Sequence, residues 1–134
     1  MPLQRFPRDD YRYQWTHHVI EKMRYYGLSE GRIRRVLMSP KRVEEGIAPG
    51  TVAVMQVAGT RKKPHEIWVM YQELNAKVKN QNAKLKKYKF EILRIGLKPA
   101  RKRIIAAWRY PGVSKPRGPV PVPDEILKEL DSLV

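Results

Sequence analysis

Cysteine is absent from the 134 residues, which excludes a disulfide scaffold, a thiolate zinc site and a cysteine nucleophile. Acidic side chains are scarce: 13 Asp and Glu stand against 28 Lys and Arg, a formal charge of +15. A compact fold with that imbalance repels itself unless a polyanion or an acidic partner offsets it. Long apolar runs are missing too. The longest, Ile67 to Tyr71 and Ile104 to Trp108, fall far short of the about 20 residues that span a bilayer. The opening Met1-Pro2-Leu3-Gln4-Arg5-Phe6-Pro7-Arg8-Asp9-Asp10 holds no apolar segment of the signal-peptide kind. Neither G-x-x-x-x-G-K nor G-x-S-x-G occurs, so NTPase and α/β-hydrolase chemistry drop out and no cofactor is implied. His17 and His18 are adjacent and diverge by about 100° on a helix, and His65 stands alone, so no metal site is expected. What remains is a soluble, cytoplasmic protein with no membrane partner. Its expected partner is nucleic acid first and an acidic protein second.

The 42% apolar content suits a single core. After a lead over residues 1–10, Tyr11-Arg12-Tyr13-Gln14-Trp15 alternates as a half-buried strand does. Thr16 caps a helix from His17 to Tyr26 that Gly27 stops, with Val19, Ile20, Met23 and Tyr26 on its core face. Ser29 caps a second helix, Glu30 to Met38, which buries Ile33, Val36 and Leu37, carries Arg32, Arg34 and Arg35 on its other face, and ends at Ser39-Pro40. The period then changes to two. Arg42 to Ile47, Thr51 to Val57, His65 to Gln72, Lys89 to Leu97 and Arg103 to Tyr110 read as strands, with turns at Pro49-Gly50, Gly59 to Pro64 and Lys98-Pro99-Ala100. This order predicts an α+β domain over 11–112, with two N-terminal helices packed on one face of a mostly antiparallel sheet of four to five strands. A Lys-rich hairpin or insertion interrupts it at 75–89. A Pro-rich tail over 113–134 ends in a short acidic helix that Asp124 caps.

Three clusters carry chemistry. His18, Lys22 and Tyr25 or Tyr26 fall on one helical stripe, where an imidazole, an ammonium and a phenol can serve acid–base work on a phosphodiester. The same pattern also suits two half-exposed histidines on an amphipathic helix. The last hairpin gathers Lys98, Arg101, Lys102, Arg103 and Arg109 beside Trp108 and Tyr110. There an arginine can grip a phosphate while a ring stacks on a base, or the segment is a core strand with basic ends. Simple alternation points Ile104, Ala106, Trp108 and Tyr110 one way and Arg103, Ile105, Ala107 and Arg109 the other. The third cluster is Lys77, Lys79, Lys84, Lys86, Lys87 and Lys89, without an interleaved acid, which suits phosphate contacts that read no sequence.

The order of parts resembles a known family. Thr16-His17-His18-Val19-Ile20-Glu21-Lys22-Met23-Arg24-Tyr25-Tyr26-Gly27-Leu28-Ser29 is similar to the signature H-A-x-x-R-M-x-x-R-G-I-S that opens a helix pair in small bacterial and phage domains. Arg103 to Gly112 resembles their closing I-I-T-[VA]-[WY] strand. Those domains are similar to the BrnT and RelE/ParE toxins, a small α+β fold shared with metal-independent ribonucleases. The resemblance covers Tyr11 to Gly112 and implies an endoribonuclease-like site on an open sheet face beside the first helix. It puts His18 on the motif's histidine, Lys22 where arginine is commoner, Tyr26 on the second arginine position, and Ala106 or Ala107 where Thr or Ser is frequent.

The resulting expectation is an RNA-binding protein of RelE/BrnT-like type, in its sharpest form a metal-independent endoribonuclease toxin acting on mRNA or rRNA. Its 2′-hydroxyl attack would use His18 as general acid or base beside Lys22. Arg101, Arg103 and Arg109 would stabilise the phosphorane, and Trp108 or Tyr110 would stack a base. The alternative is a non-enzymatic module that binds structured RNA or the ribosome through Lys77 to Lys89 and the Arg32, Arg34 and Arg35 face. A third reading gives the basic surface to an acidic antitoxin-like protein. The acidic C-terminal helix either folds back over the basic face, completes the core or mediates dimerisation.

Overall fold

The computed structural model describes residues 7–74 and 101–133. The elements run β1 (Tyr13–Trp15), α1 (His17–Tyr26), α2 (Glu30–Met38), β2 (Arg42–Glu45), β3 (Thr51–Gly59), β4 (Pro64–Glu73), β5 (Lys102–Pro111) and α3 (Asp124–Leu133). The expected strand at 89–97, the turn at 98–100 and the Lys-rich segment with Lys77, Lys79, Lys84, Lys86, Lys87 and Lys89 lie outside the described residues. The fold is α+β, and the five strands form one mixed sheet in the order β1-β5-β4-β3-β2. β1 runs parallel to β5, and the other neighbours pair antiparallel.

Local chemistry explains the helix boundaries. Thr16 ends β1 and starts α1: its hydroxyl donates to the Ile104 carbonyl at 2.8 Å and accepts from the Val19 N–H at 3.2 Å. One side chain therefore ties the first helix to β5 and satisfies an orphan donor of the first turn. At the other end Gly27 takes φ +66°, the left-handed conformation that glycine adopts without steric cost. Leu28 N–H returns to the Met23 carbonyl and buries its side chain. Ser29 caps α2 through Arg32 N–H at 3.1 Å.

Both faces of the sheet are apolar. On one, Val19 and Met23 of α1 and Ile33 and Val36 of α2 pack with Tyr13 and Trp15 against Val54, Ile67, Val69, Tyr71, Ile104 and Ala107. On the other, Ala53, Met55, Trp68, Met70, Ile105, Ala106 and Trp108 are covered by Ile126 and Leu130 of α3 and by Val120 and Val122 of the tail. Trp68 and Trp108 stack there at 6.2 Å and 8°, and the Trp108 indole N–H donates to the Pro121 carbonyl at 2.7 Å. The Pro-rich tail is therefore a strap across the second face, and α3 completes the core.

Two expectations change. β2 is shorter than Arg42–Ile47, because Gly46 N–H closes onto the Thr51 carbonyl at 2.9 Å and begins the turn. Alternation along β5 is broken by a bulge: Met70 pairs with Ala106 and Tyr71 with Ile104, leaving Ile105 unopposed. Ile104 and Ala107 consequently share the helix face, while Ile105, Ala106 and Trp108 share the other. Among the described residues no helix is long and apolar enough to cross a membrane.

Ile126 has no exposed surface. Ile126→Ala should lower the unfolding free energy by about 2–5 kcal/mol in urea titration, and Thr16→Ala by about 1–2 kcal/mol through loss of the cap.

Candidate nucleic-acid interface

The stripe on α1 forms as the spacing predicts, but it is covered. Glu129 of α3 places Oε2 3.0 Å from His18 Nδ1 and 3.7 Å from Lys22 Nζ, and Glu125 accepts the Tyr26 hydroxyl. These two carboxylates stand four residues apart on α3, so one acidic helical face meets the α1 stripe. The His18 side chain keeps 12% of its surface, and its Nε2 is buried without a hydrogen-bond partner among the described residues. Burial pulls the His18 pKa below its ordinary value; Glu129 opposes that shift and Lys22 adds to it. Burial raises the Tyr26 phenol, and the contact with Glu125 raises it further.

The basic residues of the last strand do not join His18. Arg109 lies at the far end of α1: its Nε donates to the Tyr26 carbonyl at 2.7 Å and its Nη2 to the Gly27 carbonyl at 3.2 Å. His18 is eight residues earlier, about 12 Å along the helix axis, too far for both groups to act on one phosphate. Trp108, expected to stack a base, is fully buried under the strap, and half-buried Tyr110 packs against the same cluster. The open sheet face beside the first helix does not exist, because apolar residues on both sides demand cover. Arg103, Lys102 and Arg101 stand at the opposite end of β5 from Arg109, with Lys102 5.3 Å from the Tyr71 ring centre and Arg101 Nε buried without a partner among the described residues.

The arginines of α2 divide. Arg34 is structural: it donates to Asp10 at 2.9 Å and to Glu30 at 2.8 Å and lies over the rings of Tyr13 and Trp15. Burial alone would raise the Asp10 carboxyl, but the bond from Arg34 and the N–H groups of Tyr13 and Arg12 hold its pKa at about 2. This arginine is spent on the N-terminal lead and is withdrawn from the expected phosphate contacts. Arg32 and Arg35 join no ion pair among the described residues, and neither does Arg109.

Those three arginines form a cluster with a residue the sequence left alone. His65 opens β4, and its Nε2 lies 2.6 Å from Arg109 Nη1. Guanidinium can only donate, so the imidazole accepts there and is neutral. Burial, then Arg109 and Arg32, lower the His65 pKa; burial, then Arg35 and Arg109, lower that of Arg32. Arg109 and Arg32 thus lie within electrostatic reach of His65, and Arg35 and Arg109 within reach of Arg32. Beside them the β3–β4 turn exposes Arg61, Lys62 and Lys63. Its entry requires glycine: at Gly59, with φ +84°, a Cβ would stand 2.4 Å from the Lys63 carbonyl oxygen and 2.8 Å from His65 Nδ1. The signal for this cluster lay in the turn Gly59-Thr60-Arg61-Lys62-Lys63-Pro64-His65, read only as a loop. A concentration of guanidinium groups without carboxylates, next to a neutral imidazole, is suited to receive phosphate oxygens.

A second polar cluster is internal. Glu66 has no exposed surface; Oε1 accepts from the Trp68 indole at 3.0 Å and the Ser114 hydroxyl at 2.7 Å, and Oε2 accepts from Ser114 N–H at 3.1 Å. Arg42 donates to the Ser114 hydroxyl at 3.0 Å and to the Gly118 carbonyl. The network pins the strap to the sheet, leaving beside it a cleft of about 250 Å³ lined partly by Lys41, Met55 and Val113. A lone glutamate inside a strand of apolar residues was its sequence signal.

Among the described residues no group of three or more His, Asp or Glu converges as a metal site would require. Comparison with known protein families, curated proteins and solved structures finds no match for this chain.

His18 and His65 are both bases depressed below the ordinary 6.5. The native state therefore binds fewer protons than the unfolded chain near that pH, so this contribution to stability is complete above 6.5 and is lost as pH falls through it toward the native values. Thermal denaturation should show the melting temperature declining from about pH 7 to about pH 5, and His65→Gln should flatten the decline. In NMR titration Glu129→Gln should lower the His18 pKa further, since Glu129 is what opposes the effect of burial.

Proposed function

We propose that this chain is a basic RNA-binding module of the RelE/BrnT-like type that grips the phosphate backbone without cutting it. The observation that carries the reading is the convergence of Arg32, Arg35, His65 and Arg109, with no carboxylate paired to these arginines among the described residues, beside three exposed cations of the β3–β4 turn. Arginine offers a planar fork of donors to phosphate oxygens, and the turn adds point charges that strengthen capture without fixing a base. The formal charge of +15 supplies the long-range attraction that would draw a polyanion to this end of the sheet.

Binding is favoured over cleavage for three reasons. His18 lies under Glu129, Arg109 is turned to the other end of α1, and the tryptophan that would stack a base is in the core. RNA as the polyanion rests on the resemblance of the helix pair; phosphate chemistry alone accommodates DNA as well.

Contact with about four phosphates on single-stranded RNA gives a slope of about −3 in log K against log salt, a loss of about 50-fold between about 50 and 200 mM. Arg32→Ala combined with Arg35→Ala should reduce that slope by about 1.4, whereas Arg34→Met should leave it unchanged while lowering stability. Fluorescence anisotropy on nuclease-treated protein, with RNA and duplex DNA of equal length, measures all three. RNA should be recovered intact. An affinity indifferent to salt, or one that Arg34→Met weakens as much as the double substitution does, would sink the proposal.

A further inference from the structure

The contact between His65 and Arg109 suits only one protonation state of the imidazole. Nε2 lies 2.6 Å from Arg109 Nη1 and accepts there, so the single ring proton of the neutral form sits on Nδ1. On its other side the ring lies against Gly59, where a Cβ would stand 2.8 Å from Nδ1 and 3.3 Å from Cε1. Arg109 is held as well, since Nε and Nη2 donate to the Tyr26 and Gly27 carbonyls at 2.7 and 3.2 Å. Both groups are therefore placed before any ligand arrives, and His65 is half-buried with part of its surface open to solvent.

A proton added at Nε2 sets two donors and two positive charges face to face across that short distance. The charged groups around the ring all oppose it: Arg109 from β5, Arg32 from α2, and the cations of the β3–β4 turn. Glu66, the adjacent carboxylate, is turned to the other face of the sheet, where Trp68 and Ser114 hold it. Among the described residues no carboxylate forms an ion pair with His65. An anion inverts this balance. One phosphate oxygen between the two groups accepts from Nε2–H and Nη1–H together, and its charge offsets the added one.

We propose that His65 is a proton-dependent phosphate ligand, which takes up a proton as the polyanion binds and then donates Nε2–H, beside Arg109, to the same phosphate. This rests on the phosphate-binding reading above and gives it a direction with pH. Coupling is reciprocal, so a phosphate that raises the His65 pKa is itself bound more tightly in acid. The gain grows as pH falls through the bound-state value and is complete below the free-state value. Because the free value already lies below 6.5, the rise falls between about pH 7.5 and about 5.5. Each unit by which the pKa moves raises affinity about tenfold.

Oligouridylate without terminal phosphates suits the test, because its bases and diesters take up no proton near neutrality, whereas a terminal phosphate titrates near about 6. By fluorescence anisotropy at fixed salt, wild-type affinity should rise about tenfold from about pH 7.5 to about 5.5. His65→Gln should remove most of the rise. His17→Gln and His18→Gln should keep it, since both residues open α1 at its far end. Calorimetry in buffers of different ionisation enthalpy should show proton uptake on binding by wild type and far less by His65→Gln. No substitution is needed for the third readout: by NMR titration the wild-type His65 pKa should move up on saturation with the oligonucleotide. A pKa that stays or falls, or a rise that His65→Gln leaves intact, overturns the proposal. Should the arginine-dependent salt slope persist in that case, the phosphate grip stands and the proton coupling alone is lost. Absence of salt-dependent binding sinks both.

Discussion

A strand reading Ile67-Trp68-Val69-Met70-Tyr71 has no polar side to turn to water, and its neighbour Ile104-Ile105-Ala106-Ala107-Trp108 has none either. Two adjacent central strands of that kind compel cover on both faces of the sheet. The N-terminal helices supply one layer. The other comes from the chain after Gly112, whose prolines hold it extended until α3 sets Ile126 and Leu130 against the two tryptophans. Much else follows from this. The acidic face of α3 arrives beside α1 because its apolar face has to reach the sheet. His18 and Lys22 thus acquire a carboxylate partner as a by-product of core packing.

Covering both faces also sorts the cations. With the flats of the sheet occupied, guanidinium groups are either drawn into the scaffold or left at its ends. Arg34 and Arg42 took the first course: one locks the lead peptide, the other ties down the strap, and each stacks near tryptophan. Arg32 and Arg35 took the second, and gather where the β3–β4 turn adds its own charge; Arg109 stands at the same end, bonded to the Tyr26 and Gly27 carbonyls and to His65. Net charge alone does not distinguish these fates, since the residue type is the same in both.

The helices were legible because their punctuation is local. Thr16, Gly27, Ser29 and Ser39 stand within a turn of the groups they satisfy, so spacing suffices to place both helices. All five described strands were legible from alternation and the turns between them, with ends that differ by a few residues. What was not legible depends on distant partners. Arg34 finds Asp10 24 residues away, Arg42 finds Ser114 72 away and Gly118 76 away, and Trp108 is shielded by a segment whose prolines read as a linker. His65 resisted for the same reason, since its companions Arg32 and Arg109 come from two other elements. The two-sided burial was written in the uninterrupted apolar runs of β4 and β5, but a run of that length also fits a strand with one half-buried face.

The bulge in β5 sets which insertions and deletions this strand tolerates. Taking Ile105 out restores plain alternation: Ile104 inward to the helices, Ala106 to the strap, Ala107 to the helices, Trp108 to the strap, with every later residue still in phase. Taking out Ala107 instead would rotate Trp108 from beneath the strap into the helix layer, where the Trp68 stack and the Pro121 carbonyl are out of reach. The frame of the whole second half of β5 thus hangs on one supernumerary residue, and within this strand a one-residue deletion keeps both cores only where Ile105 and Ala106 share the strap face.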